Sequence, residues 1–290
     1  MSEFLQFLIT GITLAATYGL IALGFSIIYN ATHIINFAQG DFAMIGGMSA
    51  VFALSAGLPL PLAILVAVAA GALCGVVLYQ FGIRLTRKAG SLPLIIVTLG
   101  AALAFRGFAQ VLWGKDYHSI PGFSGNDPIR IFNIVIMPQS LWVIGSTVIL
   151  VVLLSLFFNR TRLGKAVLAT SYNPDAARLM GINTNNILFL SFGLAGFLGA
   201  IAGVIVTPIT LTYYEIGVLF GLKGFVAAVL GGLGSFPGAI AGAIVLGITE
   251  VMVAGYLSSD YKDAVAFVMI LFILIFMPNG LFGKSLVERV

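Results

Sequence analysis

The chain has 290 residues, of which 60% are apolar, 8% are charged and 35 are glycine, against roughly 25% charged and about 7% glycine in an average soluble domain. This composition leaves nothing over for a soluble domain. The formal net charge of +4 reports membrane topology and implies no nucleic-acid-binding face, and the single Cys74, inside an apolar run, can form no internal disulfide.

A bilayer core about 30 Å thick takes roughly 20 apolar residues per helix. In chain order the predicted membrane segments are residues 5–29, 34–56, 60–83, 92–113, 140–158, 187–207, 216–233, 237–255 and 264–281. The expected fold is an all-α polytopic helical bundle of eight or nine membrane segments, one transmembrane domain over residues 1–290. The opening MSEFLQF carries no Lys or Arg, and the first run reaches Tyr29 without a small-residue cleavage site, so a cleaved signal peptide is not expected. The second segment contains Asn36, Gln39 and Asp41; the seventh is short, contains Lys223 and ends in GGLG. These two are the candidates for re-entrant or broken helices. A loose echo links residues 36–51 with 223–245, both polar at the start and glycine-rich, as in transporters built from inverted repeats.

Orientation follows from the cations. With the N-terminus outside, the inner side receives nine: Arg84, Arg87, Lys88, Arg160, Arg162, Lys165, Arg178, Lys284 and Arg289. The outer loops receive three, Lys115, Arg130 and Lys262, and Arg106 and Lys223 fall within membrane segments. Residues 160–186 are thereby placed in the cytoplasm and the turn-rich loop 114–138 outside. Gly71 and Gly75, Gly199 and Gly203, and Gly234, Gly238 and Gly242 recur at a spacing of four, which lets another helix backbone come close.

No enzyme site assembles. His33 and His118 fall on opposite sides, and no His/Cys/Asp cluster has metal spacing. Gly283-Lys284-Ser285 resembles the end of a phosphate loop, but Pro278 stands where the first glycine belongs. If transport uses ATP, another subunit must bind it. Asn36, Gln39 and Asp41 are costly in a membrane unless they meet water or protein. Either Asn36 caps a helix at the interface and leaves Asp41 near the headgroups, or the group lines a path. Lys223 and Glu250 lie deep in their segments, where a structural ion pair is expected, while Arg106 is near enough to the outer end of its helix to snorkel.

Residues 160–186 are the longest cytoplasmic stretch. Asn173 followed by Pro174 starts a short helix and Gly181 stops it, predicting a helix over residues 174–180. It either lies on the membrane surface or offers its alanines and Met180 to a partner.

At these residues the chain resembles a known family. Gly164-Lys165-Ala166, Asn173-Pro174-Asp175-Ala176-Ala177 and Met180-Gly181-Ile182 look like the cytoplasmic coupling loop of branched-chain amino acid ABC transporter permeases. Residues 35–41 (INFAQGD), 231–243 (GGLGSFPGAIAGA) and 277–283 (MPNGLFG) fit the same family, as its shorter permease subunit, although many members have His where this chain has Gln39. The resemblance implies the ABC importer permease fold in a bacterial inner membrane. Its implied partners are a second permease subunit, two cytoplasmic ATPase subunits and an extracytoplasmic solute-binding protein. The chain itself would bind no cofactor, with ATP and Mg held by the ATPases. Gly164, Ala169, Asn173, Pro174, Asp175, Ala176, Ala177, Met180 and Gly181 are then the expected ATPase-coupling residues, and Asn36, Gln39, Asp41, Lys223 and Glu250 the candidate translocation path. Related permeases move branched-chain amino acids, urea, short amides or aromatic acids. An ion-coupled secondary transporter using Asp41, Glu250 and Lys223 is the rival reading.

Overall fold

The computed structural model describes residues 2–86, 89–131 and 134–283. Arg87, Lys88, Lys284, Ser285 and Arg289, used in the reading above, lie outside the described residues. In chain order the elements are α1 (Ser2–Thr32), α2 (Gln39–Ser55), α3 (Leu60–Thr86), α4 (Ser91–Trp113), the antiparallel hairpin β1 (Ile129–Ile131) and β2 (Ile134–Ile136), α5 (Pro138–Arg160), α6 (Arg162–Tyr172), α7 (Pro174–Leu179), α8 (Thr184–Thr210), α9 (Ile216–Gly231), α10 (Phe236–Tyr256) and α11 (Lys262–Phe276).

Every predicted membrane segment is a helix, but only six are long and apolar enough to cross a membrane: α1, α3, α4, α5, α8 and α10. The helices α2, α9 and α11 have 17, 16 and 15 residues, short of the roughly 20 that a hydrocarbon core needs. Among the described residues, length therefore supports six crossings where eight or nine were expected.

Contacts sort the bundle into two ends. At one, the Gln6 side chain brackets the backbone of Val135 (2.8 and 2.9 Å), the Phe7 ring meets Tyr256, and His118 bridges Thr212. At the other, Asn30 donates to the Gly234 carbonyl, Phe158 stacks on Phe236, and the Leu281 amide donates to Leu230. Lys115, Arg130 and Lys262 belong to the first end; Arg160, Arg162, Lys165 and Arg178 belong to the second. The segregation of charge seen in the sequence is thus a property of the folded chain. Among the described residues the connection from Gly114 to Met137 contains no helix, but the short hairpin and isolated bridges at His118 and between Phe123 and Gly125, as its turn-forming residues predict.

The centre is built from α1, α2, α8 and α9, with α3, α4, α5 and α11 outside. Fourteen residues of α2 are buried, Gln39 through Val51 and Ala53, the signature of a helix enclosed on all sides. By contrast α3, α4 and α11 turn Leu73, Val111 and Ile275 outward, as lipid-facing helices do. Such close packing depends on missing side chains: a Cβ on Gly203 of α8 would run into the Ala43 carbonyl of α2. The four-residue glycine spacing predicts these contacts for the pairs 71/75 and 199/203. Gly234 departs from its series, because it lies in the turn before α10 at φ +86°.

The second segment is broken before Gln39, whereas the seventh is one short continuous helix. Gln39, the first residue of α2, lies against Gly24, eight positions before the end of α1. Residues 33–38 therefore turn back into the bundle, where irregular backbone is tolerated because protein encloses Ile34, Asn36 and Ala38. The start of α9 meets the same place: Gly221 lies against Gly40, and Gly217 against Asp41. From this junction α2 runs to Phe52, beside Trp113 and His118, and α9 runs to Gly231, beside Gly238. The two half-length helices thus meet at their N-termini and run to opposite ends.

Candidate functional site

The first constellation is this junction. Asn36 does not cap α2; its Oδ1 accepts from the Ala38 amide (3.1 Å), forming a tight turn, and the cap position is Ala38, with no side-chain bond. Gln39 donates through Nε2 to the Ala195 carbonyl of α8 at 3.0 Å. Asp41 is buried, at 1% exposure, which removes the expectation that it stays near the headgroups. Arg106 does not snorkel outward either: its Nε donates to Asp41 Oδ1 at 3.0 Å. The reason is electrostatic, since a carboxylate enclosed by protein at membrane depth requires a counter-ion, and the α4 guanidinium is the one within reach. Asn36 Nδ2 and Gln39 Oε1 are buried with no hydrogen-bond partner in the protein. Such atoms are uncommon in folded interiors.

The second constellation lies between α9, α10 and α11. Lys223 Nζ is 2.6 Å from Glu250 Oε1 and 2.7 Å from Asp263 Oδ1, and it stands 5.6 Å from the centre of the Tyr18 ring. The Lys223–Glu250 pair is the structural ion pair expected from the sequence. Asp263 was missed, because it falls just outside the predicted apolar run; a carboxylate in the first turn of an apolar helix was the available signal. The five candidate path residues therefore form two groups, Asn36, Gln39 and Asp41 at the junction, and Lys223 with Glu250 in the ion cluster. All five are buried within the chain.

The third constellation is the projecting α6–α7 segment. Thr161 Oγ1 accepts from the Gly164 amide at 2.9 Å, capping α6, and a Cβ on Gly164 would strike the Phe157 carbonyl, so α6 folds tightly onto the end of α5. Asn173 Oδ1 accepts from the amides of Asp175 (3.1 Å) and Ala176 (2.9 Å), with Pro174 at the first helical position. Gly181 closes α7 at φ +83°, its amide donating to the Arg178 carbonyl. Arg178 ties α7 to the start of α8 through Thr184 Oγ1 at 3.0 Å. The start agrees with the sequence reading, and the helix ends one residue earlier, with Met180 as its C-cap.

The outward face differs from expectation at two residues, Gly164, which is buried against the end of α5, and Ala177. Ala177 is buried, at 4% exposure, and turned into the chain, so it is not a contact residue. A six-residue helix can be read for its ends from local sequence, but its rotation is set by what it packs against. The presented side chains are Leu179 and Met180, at 90% and 82% exposure, with Asn173, Asp175, Ala176 and Gly181 also exposed, Pro174 half-buried, and Ala169 exposed on α6. Replacing Asn173 with Ala should release two amides and cost about 0.5–2 kcal/mol locally. Faster amide exchange over residues 174–180, with the bundle unchanged, is the expected measurement.

Comparison with known proteins follows this architecture. The high-affinity branched-chain amino acid transport system permease protein LivH of Escherichia coli (strain K12) is 32% identical over 304 aligned residues, covering 99% of this chain and 98% of that protein. The corresponding permease protein BraD of Pseudomonas aeruginosa is 33% identical over 302, with the same coverage. The fructose import permease protein FruF of Bifidobacterium longum is 31% identical over 249 residues, covering 82% of this chain and 68% of that protein. Among solved structures, PsaBC from Streptococcus pneumoniae, in complex with Fab, shares the fold with a TM-score of 0.54 at 14% identity, covering 96% of both chains. The family described as the branched-chain amino acid transport system permease component matches residues 7–274, and with that match on top of full-length relatives, the chain belongs to this family.

Proposed function

We propose that the chain is the membrane-spanning permease subunit of an ATP-driven importer for branched-chain amino acids in a bacterial inner membrane. It works with a second permease subunit, two cytoplasmic ATPase subunits that hold ATP and Mg, and an extracytoplasmic solute-binding protein. The observation that carries this reading is α7, a helix capped at both ends that presents two large apolar side chains, Leu179 in its last turn and Met180 at its C-cap. A rigid projection that holds two large apolar side chains in the open is the form of a segment that docks into a groove. Its place at the cation-rich end makes the cytoplasmic ATPases the occupants. The substrate class follows the relatives that match over their full length. Asn36, Gln39 and Asp41 border the path, whereas Lys223, paired with Glu250 and Asp263, holds α9, α10 and α11 together.

The test is the double variant Leu179→Asp/Met180→Asp. It is expected to insert normally while ATPase subunits cease to co-purify and uptake falls by at least about tenfold, as loss of interface anchors does. Normal uptake in that variant would sink the coupling assignment. Gradient-driven uptake by the chain alone in liposomes would point instead to an ion-coupled transporter.

A further inference from the structure

The helix α4 is joined to its neighbours by glycines in the left-handed region, Gly90 at φ +95° and Gly114 at φ +82°, and both stand in open space. Such residues let a chain change direction without strain. Between them the buried positions of α4 are only Leu94, Thr98, Ala102 and Ala109. Two polar attachments tie it to the start of α2: the Phe37 amide donates to Thr98 Oγ1 at 3.3 Å, and Arg106 Nε donates to Asp41 Oδ1 at 3.0 Å. The second is charge-assisted and is the stronger.

The two partners of this ion pair are held unequally. Asp41 lies in the first turn of α2, and a Cβ on Gly217, in the first turn of α9, would stand 2.6 Å from its Oδ1. Two helix N-termini therefore flank the carboxylate, and both favour an anion. Among the described residues Arg106 has no comparable second hold, and its side chain keeps 24% of its exposure. If the pair opens, the two helix N-termini offset part of the cost of leaving the Asp41 charge without its partner, while the half-buried guanidinium moves with α4.

We infer that Arg106 is a positioning residue for transport, a detachable pin that keeps α4 on the α2–α9 junction in this conformation and releases it during the cycle. The inference rests on the transport reading above. It also predicts an asymmetry: exchanging the two charges should fail to restore function, because an arginine at position 41 would face two helix N-termini.

The experiment uses the complete transporter in vesicles, with Cys74 replaced by alanine and the pair Phe37→Cys/Thr98→Cys introduced. Oxidation should form the cross-link and lower ATP-driven uptake by about tenfold, and reductant should restore it. In parallel, Arg106→Gln should lower the maximal rate about tenfold at an unchanged half-saturating concentration, while Arg106→Lys keeps most of the rate. Full uptake by the cross-linked transporter, failure of the pair to cross-link, or an Arg106→Gln effect confined to half-saturation would each overturn the pin. Absence of ATP-driven uptake in the transporter with neither cysteines nor Arg106 changes would instead remove the transport reading on which the pin depends.

Discussion

Replacing Lys223 with methionine is expected to destabilise the chain by about 3–5 kcal/mol, the range for removing one partner from a buried ion pair. The ammonium is within 2.7 Å of both Glu250 and Asp263. Without it, Glu250 remains almost fully enclosed, with Oε2 already lacking a hydrogen-bond partner in the protein. Asp263 is half-exposed and can turn to solvent, so Glu250 carries most of the cost. In detergent the unfolding midpoint should drop by roughly 6–20 °C, at about 2–4 °C per kcal/mol. Adding Glu250→Gln to the same background should recover part of the loss, because it removes the stranded charge. A Lys223→Met chain melting within about 1 °C of the parent would show that the cluster is solvated rather than structural.

Gly203→Leu is expected to be comparably severe, for a steric reason. At this position the backbones of α8 and α2 approach so closely that even a Cβ would run into the Ala43 carbonyl. A flexible side chain could yield there, but a carbonyl in the middle of a buried helix cannot without moving the helix. Overpacking costs about 1–3 kcal/mol in ordinary cores, and the upper part of that range is expected where backbone is the obstacle. The displacement would also reach the junction, since Gln39 at the head of α2 is bonded to the Ala195 carbonyl of α8. Uptake should therefore fall along with the unfolding midpoint. Gly100→Ala on α4, where a Cβ meets nothing within 4 Å, is the control and should leave the midpoint unchanged. Equal effects at the two positions would mean that α2 and α8 are not in close backbone contact.

Which features were legible in the sequence depended on the range of the forces that make them. The helices themselves were legible, because a run of apolar residues long enough for a bilayer is a local property. So was α7, whose start at Asn173 and Pro174 and whose stop at Gly181 use bonds between residues two to four positions apart. Asn36, Gln39 and Asp41 were conspicuous as polar residues in a membrane run, and the broken helix around them followed from the same anomaly. Their partners were not legible: Arg106 is 65 positions from Asp41, and Ala195 is 156 from Gln39. The inward rotation of Ala177 was hidden for the same reason.

By itself, then, the sequence determined that this is a polytopic helical membrane protein, which end carries the cations, and where a capped helix projects from it. Only the tertiary structure decided that two half-length helices meet N-terminus to N-terminus at Asp41, that Arg106 turns inward to that carboxylate, and that Asp263 joins Lys223 and Glu250. Apolar burial is non-directional and can be read residue by residue, but a buried charge selects its partner by three-dimensional proximity, and the folded chain alone supplies that.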